Sequence, residues 1–180
     1  MSITPIEVVT FWRDAGPAKW FTRSDAFDEL CRARFHHAHI AASQRAFDDW
    51  MTKPVGALAV LILIDQIPRN IFRNSAHAYA CDGLARFYAR QAIDSGVDTQ
   101  VEVDLRVFMY LPFEHSEALP DQELALTLMK TLPDPGSENW ARIHYDIIRR
   151  FGRFPYRNPV LGRITTPEEQ AYLDAGGFAG

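Results

Sequence analysis

Residues 54–66, PVGALAVLILIDQ, are apolar on every face that a helix presents, up to the terminal Asp65-Gln66 pair. In a water-soluble protein such a helix fits only at the buried centre. Its uninterrupted apolar run, Ala57 to Ile64, is eight residues, against the about 20 that a bilayer span needs. The segment therefore reads as core. Pro54 opens it, and Pro68 is expected to end it, because proline lacks an amide hydrogen and pushes the preceding residue out of αR.

The same punctuation recurs along the chain. Thr4-Pro5 supplies a cap and a first-turn proline for a helix to about Asp14, stopped by Gly16-Pro17. Ser24 caps DAFDELCRARFHHAHIAAS, where Phe27, Leu30, Cys31, Arg34 (through its stem), Phe35, Ala38 and Ala42 follow helical spacing. Residues 44–53 read as a loop or one short turn carrying Trp50. Ser75 is expected to cap a helix ending at Gly96, followed by one from about Glu102 to Tyr110 broken by Pro112. Further helices are expected from Pro120-Asp121 to near Leu132, from Ser137-Glu138 to about Phe151, and after Thr166-Pro167. No stretch sustains period-two alternation. The chain reads as all-α, one domain over residues 1–180 with seven or eight helices, and without a sequence repeat.

Composition narrows the function classes. The 180 residues are 47% hydrophobic and carry 19 basic against 23 acidic side chains, a net charge of −4. A nucleic-acid binder normally shows a basic excess, so none is expected as partner. Cys31 and Cys81 stand far apart with no CxxC, which argues against disulfides and thiolate zinc sites. The N-terminal residues lack the basic and long apolar regions of a signal peptide, so a cytoplasmic protein without membrane attachment is expected. Asp98 reads as an ordinary surface acid.

Three segments set polar groups among apolar or aromatic ones: LIDQIPRNIFRN (63–74), YLPFEHSE (110–117) and HYDIIRRFGRFPYRN (144–158). They resemble the LDQFPRN, YLPFxHSE and RFGRFPxRN signatures of an uncharacterised bacterial family, domain of unknown function 924. The resemblance covers nearly the whole chain, including Trp20-Phe21 and Trp50, and departs mildly at Ile64, Ile67 and Tyr156. It implies a tetratricopeptide-like helical array and no defined mechanism.

The residues themselves supply the functional expectations. Asp65, at the end of the most buried helix, needs a partner to stay ionised, and Arg69 and Arg73 follow within one and two turns. Glu114 and Glu117 are three apart, on one face if helical, with His115 between them. His36, His37 and His39 give no i, i+4 pair, and neither HExxH nor ExxH occurs, so no metal and no other cofactor is expected. From Arg142 to Arg163 there are six arginines and one acid, Asp146. Glu138, Arg142, Asp146 and Arg150 recur every four residues as a helical ladder. That leaves Arg149, Arg153, Arg157 and Arg163 without a local partner, and guanidinium forks suit carboxylate or phosphate. Phe151, Phe154 and Tyr156 beside them fit core packing better than base stacking.

Asp65, Arg69, Asn70, His115, Glu117, His144, Arg153, Arg157 and Asn158 are therefore the candidate site, expected to converge. Three functions remain open at this level. The first is a helical protein that holds a small anionic ligand or peptide carboxylate in an Arg/His/Glu-lined groove, against Arg153, Arg157 and their partners. The second is a hydrolase or transferase using Glu117 with His115 or His144 as acid and base. The third is a structural polar network with partners on the outer surface.

Overall fold

A computed structural model describes residues 3–180, and among them every regular element is helical. Eight helices of two turns or more are present: α1 Pro5–Ala15, α2 Asp25–Ser43, α3 Pro54–Ile71, α4 Asp82–Asp94, α5 Val107–Glu114, α6 Leu119–Met129, α7 Pro135–Phe151 and α8 Pro167–Asp174. A one-turn helix, Pro17–Trp20, follows α1. The chain divides into two compact units. One runs to Arg73 and resumes over His77–Pro112, and the other comprises Asn74–Ala76 and Phe113–Gly180.

In the first unit α3 is the centre, packed against α1, α2 and α4. It is long and apolar enough to cross a bilayer, yet 83% of it is buried inside the protein. Each fully buried Leu or Ile along it contributes about 1.5–3 kcal/mol by leaving water. The approach to α3 is tight at Gly56, where a Cβ would sit 2.1 Å from the Trp50 carbonyl oxygen. Only glycine fits there.

Pro68 does not end α3. Ile62–Gln66 widen into a π-turn, with the Ile67 amide bonded back to the Ile62 carbonyl, and the helix continues through Ile67–Ile71. In that wider register residue 68 would donate to Leu63, and proline cannot. His39 of α2 replaces the missing donor, its Nδ1 lying 2.9 Å from the Leu63 carbonyl oxygen. Since a carbonyl only accepts, Nδ1 carries the proton. Burial, more than the other influences, lowers the basicity of this imidazole.

Other boundaries also moved. Ser75 caps no long helix. A 3-10 turn, Ala76–Tyr79, intervenes, and α4 begins at Asp82, whose carboxylate suits a helix N-terminus. Pro112 lies inside α5 without breaking it, because only the single bond to the Phe108 carbonyl is forfeited. Asp134 and Pro135, not Ser137, start α7, the Asp134 carboxylate accepting from the Gly136 amide at 3.0 Å. Asp98 is 4% exposed and accepts the Tyr110 hydroxyl at 2.8 Å. It is a buried acid.

In the second unit α6 packs on α7. Ile147, Ile148 and Phe154 form a core against Ile143, Phe151, Tyr156, Tyr172 and Phe178. Gly152, at φ +69°, ends α7 in the left-handed conformation that glycine adopts without strain. The turn carries Arg153 and Phe154 away from the helix axis. Thr166 and Glu169 then form the reciprocal cap of α8.

Candidate functional site

The nine candidate residues fall into two sets, one in each unit. Asp65, Arg69 and Asn70 belong to the first. There, the i, i+4 spacing of Asp65 and Arg69 sets them along one face of α3, and Arg73 follows in the turn just past its end. Asp65 is 0% exposed. Its Oδ1 lies 3.2 Å from Arg69 Nη1, and its Oδ2 accepts from Gln66 Nε2 at 2.6 Å. Arg69 also donates to the Asp65 carbonyl oxygen at 2.8 Å and to Asp82 Oδ2 at 3.0 Å. Asn70 turns to Asp28 of α2, donating to Oδ1 at 2.8 Å. Arg73 grips both oxygens of the same carboxylate through Nε and Nη2.

The second unit holds His115, Glu117, His144, Arg153, Arg157 and Asn158, and Phe154 joins several of them. The Phe154 amide donates to Glu117 Oε1 at 3.0 Å. The Phe154 ring lies 4.3 Å beneath the Arg157 guanidinium and 5.4 Å edge-on from the His144 ring. Glu117 is taken bidentately by Arg163, with both N–O distances 2.8 Å. Arg157, 3% exposed, donates to the Tyr156 hydroxyl at 3.1 Å and to the His115 carbonyl at 3.0 Å. Arg153 and Asn158 converge on Glu169, at 2.6 and 2.9 Å from Arg153 and 3.2 Å from Asn158. His144 Nδ1 lies 2.8 Å from the Trp140 carbonyl and 3.2 Å from Glu114 Oε1.

Glu117 does not share a helical face with Glu114. The helix ends at Glu114, and the turn beyond it is tied down by Gln122 Nε2, which donates to the Glu114 and Ser116 carbonyls at 2.6 and 2.7 Å. The arginine ladder is also rearranged. Arg142 meets Glu138 at 3.6 Å as expected, but Asp146 faces Arg149 at 3.7 Å while Arg150 reaches Glu168 at 3.0 Å. Arg149 thus has a local partner after all, because the exposed i, i+3 spacing serves as well as i, i+4.

These contacts favour the ionised form of Glu117 and Glu169. Burial opposes ionisation of Glu117, but the Arg163 and Phe154 hydrogen bonds, with the charges of Arg163 and Arg157, outweigh it and hold the group below its usual range. The Arg153 hydrogen bonds bring Glu169 down to about 2 against the effect of burial, with the Thr166 amide assisting. Groups stabilised as anions are poor proton donors. Burial pushes the Cys31 thiol up to about 12, which removes it as a nucleophile at neutral pH. Among the described residues, no three His, Cys, Asp or Glu side chains are grouped so as to hold a metal ion.

Asp28, Asp82 and Glu169 were missed as members of these clusters. Each sits in the first turn of a helix, where a carboxylate already has a local reason to be. Only the distant arginines distinguish them from ordinary caps.

No curated protein matches the chain. A solved structure described as a protein of unknown function from Agrobacterium tumefaciens is 48% identical, with a TM-score of 0.93, over 96% of this chain and 97% of that one. The family described as "Bacterial protein of unknown function (DUF924)" matches residues 8–177. With nearly its whole length matched, the chain belongs to that bacterial family.

Proposed function

We propose that this is a soluble, cytoplasmic helical binding protein for a small carboxylate-bearing ligand, with its helices arrayed in a tetratricopeptide-like manner and its three motif segments serving as rigid frame. The observation that carries the motif segments as frame is the engagement of the guanidiniums in and beside them by the chain's own carboxylates: Arg69 with Asp65 and Asp82, Arg73 with Asp28, Arg153 with Glu169, and the flanking Arg163 with Glu117. Buried or half-buried networks of this kind hold elements in register. They leave the carboxylates occupied by guanidiniums, and Glu117 and Glu169 held as anions, which suits a frame better than acid–base catalysis.

The test compares Glu117→Gln, Arg163→Met and Arg157→Ala with the wild type in thermal denaturation, alone and with inorganic phosphate or a panel of carboxylates. The expected result is that Glu117→Gln and Arg163→Met each lower Tm, that the double variant loses less than their sum, as members of one pair do, and that carboxylates stabilise the wild type. Hydrolysis of a phosphate or carboxylic ester by the wild type, lost in Glu117→Gln at unchanged Tm, overturns the reading in favour of an enzyme. Anion stabilisation lost in Arg157→Ala alone moves the ligand into the motif segment.

A further inference from the structure

Outside the motif segments, the first unit has a cleft of about 320 Å³ lined by Thr10, Phe11, Asp14, Lys19, Phe27 and Arg34, with Ala15 and Leu30 completing it. Its shape follows from a local device. Gly16, at φ +73°, closes α1, and Pro17 starts the one-turn helix that packs back against α1. The Trp20 indole pins that turn by donating to the Trp12 carbonyl at 2.7 Å. Lys19 is thereby placed at the cleft.

The floor is aromatic. Phe11 and Phe27 stack with centroids 5.7 Å apart and planes 7° from parallel. A cation stands over each ring: the Arg34 guanidinium 5.2 Å from the Phe11 centroid, and the Lys19 ammonium 5.8 Å from that of Phe27. Neither Lys19 nor Arg34 forms an ion pair among the described residues. Leu30, 56% exposed, adds apolar surface at the rim. Asp14 is the one acid lining the cleft, and Glu7 of α1 also feels the Arg34 charge from outside the lining, so the lining itself sets two cations against one anion in a chain whose net charge is −4. The volume reaches the lower end of small-molecule sites, about 300 Å³, where an apolar floor with a few charged groups is the usual composition.

We propose that this cleft binds a small carboxylate carried on an aromatic or aliphatic body, the body against the half-buried Phe11 and the exposed Leu30, with the buried Phe27 supporting Phe11 from below, and the carboxylate between Lys19 and Arg34. A cation held over a ring face keeps its N–H groups available to an anion. The proposal rests on the binding reading above and adds the site and the ligand chemistry. Lys19 and Arg34 determine the preference for an anion, and the stacked rings the preference for an apolar body.

The experiment titrates the full-length ¹⁵N-labelled chain with 4-phenylbutyrate, its neutral amide 4-phenylbutyramide, and inorganic phosphate. Amide shifts and Kd are followed for the wild type, Lys19→Gln/Arg34→Gln, Leu30→Glu and Arg157→Ala. Phenylbutyrate is expected to perturb residues 10–19 and 27–34 in the wild type. The amide and the Lys19→Gln/Arg34→Gln variant should each bind about tenfold more weakly, one charged hydrogen bond's worth, while Tm of the variant is retained. Leu30→Glu should weaken binding by blocking the apolar body. Equal affinity for acid and amide, or indifference to both the double variant and Leu30→Glu, overturns the proposal. If phenylbutyrate or phosphate binds instead at the motif segment, with affinity lost in Arg157→Ala, this site falls while the binding function stands. If no anion binds anywhere, the function reading falls with it.

Discussion

The two polar clusters solve one problem, holding arginine beside apolar sequence, by different routes. In the first unit the central pair is local: Asp65 and Arg69 are one helical turn apart on α3, and Asp82 and Asp28 are added from other helices. In the second unit the pairs span long separations from loops and helix ends, 46 residues for Glu117–Arg163 and 16 for Glu169–Arg153. A helix aligns partners without further ordering of the chain. A loop pair must also hold its loops, so its rupture releases backbone as well as charge. The first cluster should therefore fail mainly through a weakened buried charge network, and the second through loss of local order.

The largest effect is expected at Asp65. Removing one partner of a buried pair typically costs about 3–5 kcal/mol; Asp65→Ala leaves Gln66 and one side of Arg69 facing the gap while Asp82 still holds Arg69, so the loss is expected at the lower end of that range. Urea denaturation should show a loss in this range; a loss below about 1 kcal/mol would place Asp65 outside the structural core of the cluster. Glu117→Ala should cost less, about 2–3 kcal/mol, since it strands a half-buried Arg163 and the Phe154 amide. It should also raise hydrogen exchange at Phe154, which Asp65→Ala should not. Equal exchange in the two variants would erase the contrast between helix-borne and loop-borne pairs.

Acid sharpens the comparison further. The folded Glu169 carboxyl titrates at about 2 against an ordinary 4.5, so between these values the unfolded chain binds more protons. Its stabilisation is complete above about pH 4.5 and is lost as pH falls toward 2. Tm should drop over that window, and Glu169→Gln should flatten the drop; an unchanged slope would contradict the Arg153 pairing. In the first unit the sensitive group is His39. Burial keeps the folded imidazole neutral, so stability is present above its ordinary 6.5 and declines as pH falls below it. His39→Gln should remove that component while costing about 1 kcal/mol at pH 8 for the bond to the Leu63 carbonyl. The smallest effect is expected at the exposed Asp94, where alanine should stay within about 0.5 kcal/mol.

Much of the helical frame was legible in the residues. Ser24 and the apolar spacing after it delimit α2 as observed, and Thr4 and Thr166 mark real capping boxes. These signals are local, a side-chain oxygen within reach of an amide three residues on. Pro68 and Pro112 misled because a proline's effect depends on where the orphaned carbonyl goes. At Leu63 the answer is His39, which is 24 residues away. Asp98 misled for the same reason, since Tyr110 lies beyond any local pattern.

The order of helices, the buried place of α3 and the membership of Asp65 and Arg69 in one pair were determined by the sequence alone, because hydrophobic period and i, i+4 spacing act within one element. Which carboxylate each remaining arginine holds was decided only in three dimensions. Glu117 stands out among the acids as a site residue, whereas nothing in the local pattern sets Asp28, Glu168 or Glu169 apart as acceptors of a guanidinium. Charge is not directional along a chain, and only the packing of apolar faces brings one acid within about 3 Å of a given arginine while leaving the others in water.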